Sequence, residues 1–405
     1  MGVKLLINSL FRGGAEKQLA ALGALLPHDA LLLLEHEVSL RPPSPPVFLS
    51  SHNALTPSVL KTAAIPLYAR RLAALAGPGD TVVSFMERAN LVNVLAARRS
   101  GHRAVLCERT RPSGEFSGLR GALMRPLIRL AYPRAAAVVA NSLGVEADLE
   151  VNFGVPAAKV TVIRNGCDTA AVAALAAKPL APAWEKVYSR PVICTSGRLT
   201  EAKGQWHLLR IFREVRSAAP GAALVLAGEG PLLPYLSSLA AGLGLAAWSG
   251  PGEPPPDADV YFAGFRENPF PFIARARLFA FTSVWEGFPN SLIEAMACGA
   301  PVISADCDSG PREILAPGTP FDRRAEAAED APCGVLMPPL PPQKLKAGEL
   351  SLPREKAWAE KIAALLADGA ALEKYSRASL ARAADFELSR VILRWRELLG
   401  TFPTT

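Results

Sequence analysis

The sequence predicts an α/β protein built from two doubly wound, mostly parallel sheets. Short apolar runs alternate with helical patterns along most of the 405 residues, and this alternation is typical of parallel sheets covered by helices. It occurs on both sides of a proline-interrupted stretch at 177–190, which shows no periodicity and is predicted to be a linker. At roughly 100–200 residues a domain, the length also fits two or three domains.

Five strands are predicted on each side of this linker. They are 3–9, 81–85, 104–107, 137–140 and 160–163, then 192–196, 223–227, 260–262, 278–282 and 302–304. A helix is predicted from Gly14 to about Leu26, and two helices across 358–399 with a break near Asp385-Phe386. Ligands bind beyond the carboxyl ends of parallel strands, so two such sheets facing each other predict a cleft between the domains.

Composition excludes several classes of protein. Half of the residues are hydrophobic, which rules out wholesale disorder. The six cysteines and five histidines form no Cys-x-x-Cys pair or zinc-type cluster, so we predict a reducing, cytoplasmic location and no metal. No apolar run reaches the roughly 18 residues that span a bilayer, and the first residues lack a signal-peptide cleavage pattern.

The positive charge is concentrated in one segment. The chain has a net charge of +7. Residues 98–134 contain nine arginines and two glutamates, so the net charge of this segment equals that of the whole chain. A local cationic segment indicates a polyanionic partner, either phosphate groups or an anionic membrane surface. No helix-turn-helix, zinc finger or aromatic RNA motif accompanies the segment, so nucleic acid is not an expected partner.

Two loops after predicted strands carry candidate anion-binding groups. Gly13 and Gly14 open a helix, where backbone N–H groups favour an anion, although an ordinary strand-to-helix turn fits equally well. Arg198 and Lys203 lie on a glycine-bounded loop after strand 192–196. Such a loop can turn both cations toward one diphosphate; two solvated surface cations are the alternative.

A third loop contains two carboxylates, Glu286 and Glu294, with seven residues between them. Asn290 or Ser291 is predicted to cap the next helix, which places Glu294 in about its first turn. The helix start offers N–H groups to a phosphate. Glu294 can accept hydrogen bonds from vicinal hydroxyls such as a ribose, and Glu286 from those of a sugar. Alternatively, Glu294 only complements the helix dipole.

These residues resemble family 4 of the retaining GT-B glycosyltransferases, which need no metal ion. The resemblance rests on GGAEKQ at 13–18, GRLTEAKG at 197–204, LAGEGPL at 226–232, FAGF at 262–265, EGFPNSLIEAMACGAPVI at 286–303, and also NSLGV at 141–145, VIRNGCD at 162–168 and ADFELSRVILRWRELL at 384–399. It implies a GT-B fold with two Rossmann-like domains facing a cleft. Their expected ranges are 1–178 and 179–385, with a C-terminal helix at about 386–405 packing back on the first domain.

The resemblance also implies roles for the site residues. The catalytic set would be Glu286, Arg198 and Lys203, with the two cations holding the donor diphosphate. The donor-binding set would surround the nucleotide and its sugar and comprises Glu294, Gly287, Phe288, Asn290, Ser291, Leu292, Arg266, Gly13 and Gly14. The donor is a substrate, expected to be a UDP-sugar, and no cofactor is expected. Retention in this class is usually written as a front-face attack, in which the leaving phosphate helps to deprotonate the acceptor.

One position departs from the family pattern. Many members have a histidine on a loop of the first domain, where this chain has ERTRP at 108–112. A subgroup that assembles bacterial surface glycans resembles this form, so Glu108 and Arg109 are predicted on the acceptor side. A structural ion pair at the strand end is the alternative.

The stretch from 119 to 132 predicts a contact with a membrane. Leu119, Leu123, Leu127 and Leu130 fall on one helical face, while Pro126 interrupts the pattern and is predicted to start the helix. A basic amphipathic helix can lie in a membrane interface, and packing of the leucines on the sheet is the alternative. We predict peripheral contact with the inner face of the plasma membrane through 98–134.

Together these features predict a retaining glycosyltransferase. It would move a sugar from a UDP-linked donor to a polyprenyl-diphosphate-linked or other glycan acceptor in bacterial surface polysaccharide biosynthesis. Two alternatives remain at this point. One is a GT-B nucleotide-sugar epimerase, which needs no acceptor, and the other is a non-catalytic donor-binding scaffold.

Overall fold

The computed structural model describes residues 2–116 and 118–400; Met1, Ser117, residues 401–405 and the side chain of Leu119 lie outside the described part. Contacts divide the chain into two compact units. The first unit ends at Gly166 and resumes at Leu388, and the second unit spans Cys167–Glu387. The predicted boundary at 178 falls inside the second unit, because the helix at Thr169–Ala176 packs there.

The first unit is a parallel sheet covered by helices. Its strands are β1 (Val3–Ile7), β2 (Ala30–Leu33), β3 (Pro46–Phe48), β4 (Thr81–Phe85), β5 (Arg103–Glu108), β6 (Ala137–Ala140) and β7 (Val160–Val162). Its helices before Gly166 are α1 (Gly14–Leu25), α2 (Ser58–Ala63), α3 (Ile65–Leu75), α4 (Glu87–Ser100), α5 (Pro112–Glu115), α6 (Gly118–Ala131) and α7 (Leu143–Phe153). The sheet order is β3-β2-β1-β4-β5-β6-β7. Strand side chains alternate between faces, so Leu5 and Ile7 enter one core cluster and Leu6 the other.

The second unit repeats this architecture. Its strands are β8 (Val192–Ser196), β9 (Ala223–Ala227), β10 (Ala247–Ser249), β11 (Val260–Gly264), β12 (Leu278–Phe281), β13 (Val302–Ala305), β14 (Glu329–Ala331) and β15 (Gly334–Met337). Its helices are α8 (Thr169–Ala176), α9 (Pro182–Val187), α10 (Gln205–Ala218), α11 (Leu233–Gly242), α12 (Phe270–Ala274), α13 (Asn290–Ala297), α14 (Pro311–Leu315), α15 (Pro353–Ala367) and α16 (Gly369–Ala383). The sheet order is β10-β11-β9-β8-β12-β13-β15-β14, and β14 runs antiparallel to β15.

The ten predicted strands are confirmed to within two residues at each end. The described residues contain five further strands that the pattern missed: β2, β3, β10, β14 and β15. Three of these have only three residues, too few for a periodic signal. The predicted linker at 177–190 does not join the two units, because it lies inside the second unit and its helix α9 buries Trp184 in that unit's core.

Residues 353–400 form three α-helices rather than the predicted two. Asp368 separates α15 from α16 and caps α16, because its carboxylate accepts a hydrogen bond from Ala371 N at 2.9 Å. The predicted break near Asp385-Phe386 is confirmed as a 3₁₀ turn. After it, α17 (Leu388–Gly400) lies in the first unit, where Trp395 stacks on Phe85 with ring centroids 6.2 Å apart.

Helix α6 differs from the prediction in two ways. It runs unbroken through Pro126, so the predicted start at this proline is wrong; packing of Met124 and Ile128 on the core supports the turns on both sides. Leu123 and Leu130 are 56% and 58% exposed. Packing of the leucines on the sheet is therefore excluded for these two side chains.

Candidate active site

Five neighbouring parallel strands of the second unit end at one edge of its sheet. They are β8, β9, β11, β12 and β13, and the loops that follow them begin at Gly197, Gly228, Phe265, Thr282 and Asp306. The carboxyl edge of a parallel sheet is the usual place for ligands. The fold therefore brings the loops with Arg198, Lys203, Arg266 and Glu286 to the same edge.

Glycines allow the first two of these loops to touch. Gly197 N donates to Ala227 O at 3.0 Å, and a Cβ added at Gly228 would lie 1.9 Å from Gly197 O. A Cβ added at Gly230 would lie 2.4 Å from Leu199 O. Both separations are far below a van der Waals contact, so the loop after β9 supports the backbone that carries Arg198.

Lys203 and Glu286 form an ion pair between the loops after β8 and β12. The Nζ atom lies 2.5 Å from Glu286 Oε1 and 5.2 Å from the centroid of the Phe281 ring. Thr282 Oγ1 donates to the Lys203 carbonyl at 3.2 Å, which fixes the lysine backbone. A cation and a carboxylate thus converge at the strand ends, as a site for a charged and hydroxylated ligand requires.

Arg198 lies on the same loop, but its side chain is exposed and forms no ion pair within the described part of the chain. Its backbone is held, because its carbonyl accepts from Gln205 Nε2 at 2.9 Å. An exposed guanidinium on a fixed backbone keeps its five N–H donors for a ligand.

Helix α13 begins at Asn290, so the predicted cap is wrong: Pro289 is the N-cap, and neither Asn290 nor Ser291 caps with its side chain. Pro289 adopts φ −75°, close to the value its ring imposes, and the helical turns start at the next residue. Glu294 is consequently the fifth helical residue and lies in the second turn, while Leu292 is fully buried.

Glu294 lies beside two thiols. Burial, assisted by the Glu294 carboxylate, raises the pKa of Cys298 to about 12, and the same two causes raise the pKa of Cys167 to about 12. Both thiols are therefore protonated near neutral pH and are poor nucleophiles. The groups near Glu294 that can interact with a ligand are therefore the carboxylates and cations rather than these thiols.

Arg266 packs between aromatic rings. Its guanidinium lies 5.4 Å from the ring centroids of both Trp184 and Phe272, and burial lowers its pKa. Its neighbour Phe265 is 43% exposed. The structure therefore uses Arg266 to fix the loop after β11 and presents the Phe265 ring to solvent, where a planar base can stack.

Two predicted residues of the first unit open α1. Gly13 is the N-cap, and a Cβ there would lie 2.0 Å from Glu16 Oε2, so the Glu16 carboxylate lies against this glycine. Gly14 is the first helical residue and is exposed.

Glu108 and Arg109 are both buried, and no direct ion pair joins them within the described residues. Glu108 Oε1 accepts from Arg109 N at 2.9 Å, and its Oε2 accepts from the Tyr132 hydroxyl at 2.7 Å. The Arg109 guanidinium donates to Asn165 and lies 5.1 Å from the Phe85 ring centroid. The alternative of a structural ion pair is thus wrong, and Glu108, at 0% exposure, supports the ERTRP loop from beneath.

Comparison with known proteins identifies the family. A model described as Glycosyltransferase Family 4 matches residues 13–171, and one described as Glycosyl transferases group 1 matches residues 190–368. A Campylobacter jejuni protein is 31% identical over 76% of this chain and 82% of its own. It is named N-acetylgalactosamine-N,N'-diacetylbacillosaminyl-diphospho-undecaprenol 4-alpha-N-acetylgalactosaminyltransferase. This chain belongs to glycosyltransferase family 4.

Other relatives agree with this identification. An uncharacterized glycosyltransferase from Methanocaldococcus jannaschii is 28% identical over 79% of each chain. Anabaena HepE, solved in complex with UDP, matches 99% of this chain and 100% of its own with a TM-score of 0.72 at 21% identity. This glycosyltransferase therefore has the GT-B fold. Among its described helices, none has the length and apolar character that crossing a membrane requires.

The buried Glu108 of this glycosyltransferase predicts a pH-dependent stability. Burial raises the pKa of Glu108 to about 7 from an ordinary 4.5. The folded state therefore binds this proton more tightly than the unfolded chain, and the associated stability is present below about pH 4.5 and lost as the pH rises through 7. Between pH 5 and pH 8 we expect the slope of Tm against pH to be more positive in Glu108→Gln than in the wild type, as measured by thermal denaturation. The buried His102, whose pKa is lowered to about 4, adds stability as the pH rises, and it does so equally in both proteins.

Glu87 limits the size of this change. It is also buried and has a raised pKa, mainly through desolvation and through Glu115 and Glu108, so part of the slope remains in the variant. Glu373→Gln, which alters an exposed carboxylate, is the matched control and should leave the slope unchanged. Equal slopes of Tm against pH for Glu108→Gln and the wild type would contradict the raised pKa of Glu108.

The loop after β13 also supports the site, although no sequence motif pointed to it. Ser309 Oγ donates to Gly287 O at 2.8 Å, and a Cβ added at Gly310 would lie 2.5 Å from Pro289 Cδ. These residues therefore support the backbone between Glu286 and α13. The signal was available, because DSG at 308–310 follows a predicted strand and is a typical turn sequence.

Proposed function

We propose that this glycosyltransferase moves a sugar from UDP to a polyprenyl-diphosphate-linked glycan, with retention, in the assembly of a bacterial surface polysaccharide. The ion pair of Lys203 and Glu286 at the carboxyl edge of the second sheet carries the site assignment. UDP is favoured because HepE structures contain UDP and UDP-glucose. The acceptor class is favoured by the name of the Campylobacter relative, which specifies a diphospho-undecaprenol substrate.

The chemistry that this edge supports is diphosphate departure. The bond between the sugar's anomeric carbon and the β-phosphate oxygen breaks, a bond to the acceptor oxygen forms on the same face, and the acceptor proton passes to the leaving phosphate. Negative charge grows on that phosphate. Fixed cations and backbone N–H groups stabilise such charge, and Arg198, Lys203 and the N-terminus of α13 supply them here without a metal.

A UDP-release screen tests this proposal. Purified protein is incubated with a panel of UDP-sugars, with and without a short polyprenyl-diphosphate-linked saccharide, and the product is identified by mass spectrometry and by the anomeric NMR coupling. Acceptor-dependent UDP release with a retained anomeric configuration supports it. Conversion of the donor sugar without transfer would identify an epimerase, and UDP binding with no turnover of any donor would identify a scaffold.

We further propose that α6 brings the enzyme to the inner face of the plasma membrane. Leu123 and Leu130 are exposed one above the other along the helix, seven residues apart, and Arg129 and Arg134 are exposed nearby in sequence. Exposed apolar side chains among cations suit an anionic lipid surface. Arg109 is buried and cannot contact lipid, so fewer than the nine arginines of residues 98–134 contribute charge at the surface.

Removing these leucines should weaken binding to vesicles. We expect the double change Leu123→Gln and Leu130→Gln to lower the fraction bound to vesicles containing phosphatidylglycerol by several-fold in a sedimentation assay, because about 25 cal/mol of free energy is lost per Å² of apolar burial. Leu380→Gln, which alters a 51% exposed leucine of the second unit, is the matched control. Equal binding of the double variant and the control would refute the contact.

A further inference from the structure

The ion pair of Lys203 and Glu286 leaves little of either charge to solvent. The two side chains are 23% and 13% exposed, and Lys203 Nζ lies 2.5 Å from Glu286 Oε1. The ammonium also lies over the Phe281 ring, whose centroid is 5.2 Å away. Within the described part of the chain, Glu286 forms no second ion pair. The lysine that we propose for the donor diphosphate is therefore already neutralised by a carboxylate.

Hydrogen bonds hold the backbone on both sides of this pair. Thr282 Oγ1 donates to the Lys203 carbonyl at 3.2 Å. Ser309 Oγ donates to the carbonyl of Gly287 at 2.8 Å, directly after Glu286. Both loops are thus fixed at the edge of the sheet. A ligand that binds Lys203 has to share the ammonium with Glu286, because neither backbone is free to move the two groups apart.

Arg198 and Lys203 differ in this respect. The Arg198 side chain is exposed and forms no ion pair within the described residues, so a diphosphate meets it as a full positive charge. Lys203 is met together with a carboxylate that repels the diphosphate. An acid at hydrogen-bond distance from a cation offsets much of the attraction of that cation for an anion. The contribution of Lys203 to diphosphate binding therefore depends on what Glu286 contacts.

We propose that Glu286 competes with the diphosphate of UDP for Lys203, weakens the binding of UDP and so speeds its release after transfer. This inference rests on the proposed transfer function, which makes UDP the product. While the donor is intact, hydroxyls of its sugar donate to Glu286 and occupy part of its hydrogen-bonding capacity. Once the sugar has left, the carboxylate pairs fully with Lys203. The pair therefore disfavours the product more than the donor.

UDP binding to Glu286→Gln tests the competition, because glutamine keeps the size of the side chain and removes its charge. We expect the Kd for UDP, measured by isothermal titration calorimetry, to fall at least about fivefold relative to the wild type. The dissociation rate of UDP, measured by stopped-flow displacement, should fall with it. Glu286→Ala should change both quantities in the same direction, and circular dichroism confirms that each variant is folded. An unchanged or higher Kd would overturn the proposal.

Glu201→Gln is the matched control for the loss of an acid near Lys203. Glu201 lies on the same loop, is 57% exposed and pairs with Lys344 at 2.7 Å. Solvent screens such an exposed charge, so the Kd for UDP should stay within about twofold of the wild type. A decrease as large as that of Glu286→Gln would be a general effect of net charge and would contradict the competition.

The Lys203→Ala background separates competition for the cation from direct repulsion of UDP by the carboxylate. Repulsion acts with or without the lysine, so by itself it would make Glu286→Gln lower the Kd by the same factor in both backgrounds. Competition requires the lysine, so we expect the decrease in Kd to be several-fold smaller in Lys203→Ala. Equal decreases in the two backgrounds would also overturn the proposal.

The same titrations distinguish failure of this inference from failure of the proposed function. If the wild type does not bind UDP, the proposed donor is wrong and the inference falls with it. If the wild type binds UDP and Glu286→Gln binds it no more tightly, only the inference is wrong, because the UDP site itself remains.

Discussion

Lys203→Ala is expected to lower turnover at least about tenfold while the protein stays folded. Lys203 Nζ lies 2.5 Å from Glu286 and above the Phe281 ring, so its loss removes a cation from the place where we propose that the leaving diphosphate gains charge. It also leaves the Glu286 carboxylate without the partner that orients it. Steady-state UDP release gives the rate, and circular dichroism confirms the fold.

Three variants make this result specific. Lys203→Arg keeps the charge and should retain part of the activity. Lys344→Ala removes an exposed lysine that pairs with Glu201 at 2.7 Å, and such surface pairs contribute little, so no loss is expected. Glu294→Ala should also lower turnover at least about tenfold, because we propose that the Glu294 carboxylate binds the donor's ribose. Near-normal turnover of both Lys203→Ala and Glu294→Ala would remove the site assignment.

Much of the fold could be predicted because a parallel strand buried on both faces has a continuous apolar sequence. The TVVSF sequence of β4 is buried throughout, and both of its end residues were predicted correctly. The elements that the sequence did not predict have neighbouring residues that made their pattern hard to recognise. ALLL of β2 is equally apolar but is followed closely by Glu35-His36-Glu37, and α9 has six residues and hides Trp184 within a proline-rich stretch.

The candidate site of the second unit and the polar cluster of Glu35 and Lys61 in the first unit were not equally visible in the sequence. The residues around Glu286 are contiguous, so their motif was visible in one stretch of sequence. In the first unit, Glu35 follows β2 and pairs at 2.5 Å with Lys61 of α2, which lies 26 residues further along the chain. No single stretch of sequence shows this pair. Leu123 and Leu130 show the limit of helical periodicity: it placed them on one face but left open whether that face is buried.

Gly228→Ala is expected to disturb the loops after β8 and β9 more than a substitution at the protein surface would. A Cβ at this position would lie 1.9 Å from Gly197 O and 2.9 Å from Gly197 C, and both are backbone atoms that no side-chain rotation can move away. Overpacking of this kind typically costs about 1–3 kcal/mol. The cost falls on the loop with Arg198 and Lys203, so turnover should fall by at least about tenfold together with Tm.

Gly221→Ala separates this clash from a general effect of losing a glycine. No atom lies within 4 Å of a Cβ added at Gly221, so this variant should match the wild type in both Tm and turnover. If Gly228→Ala also matched the wild type, the loops after β8 and β9 would not be in contact in solution. The support that we assign to the Arg198 backbone would then have to come from Thr200 N and Gln205 Nε2, which both donate to the Arg198 carbonyl.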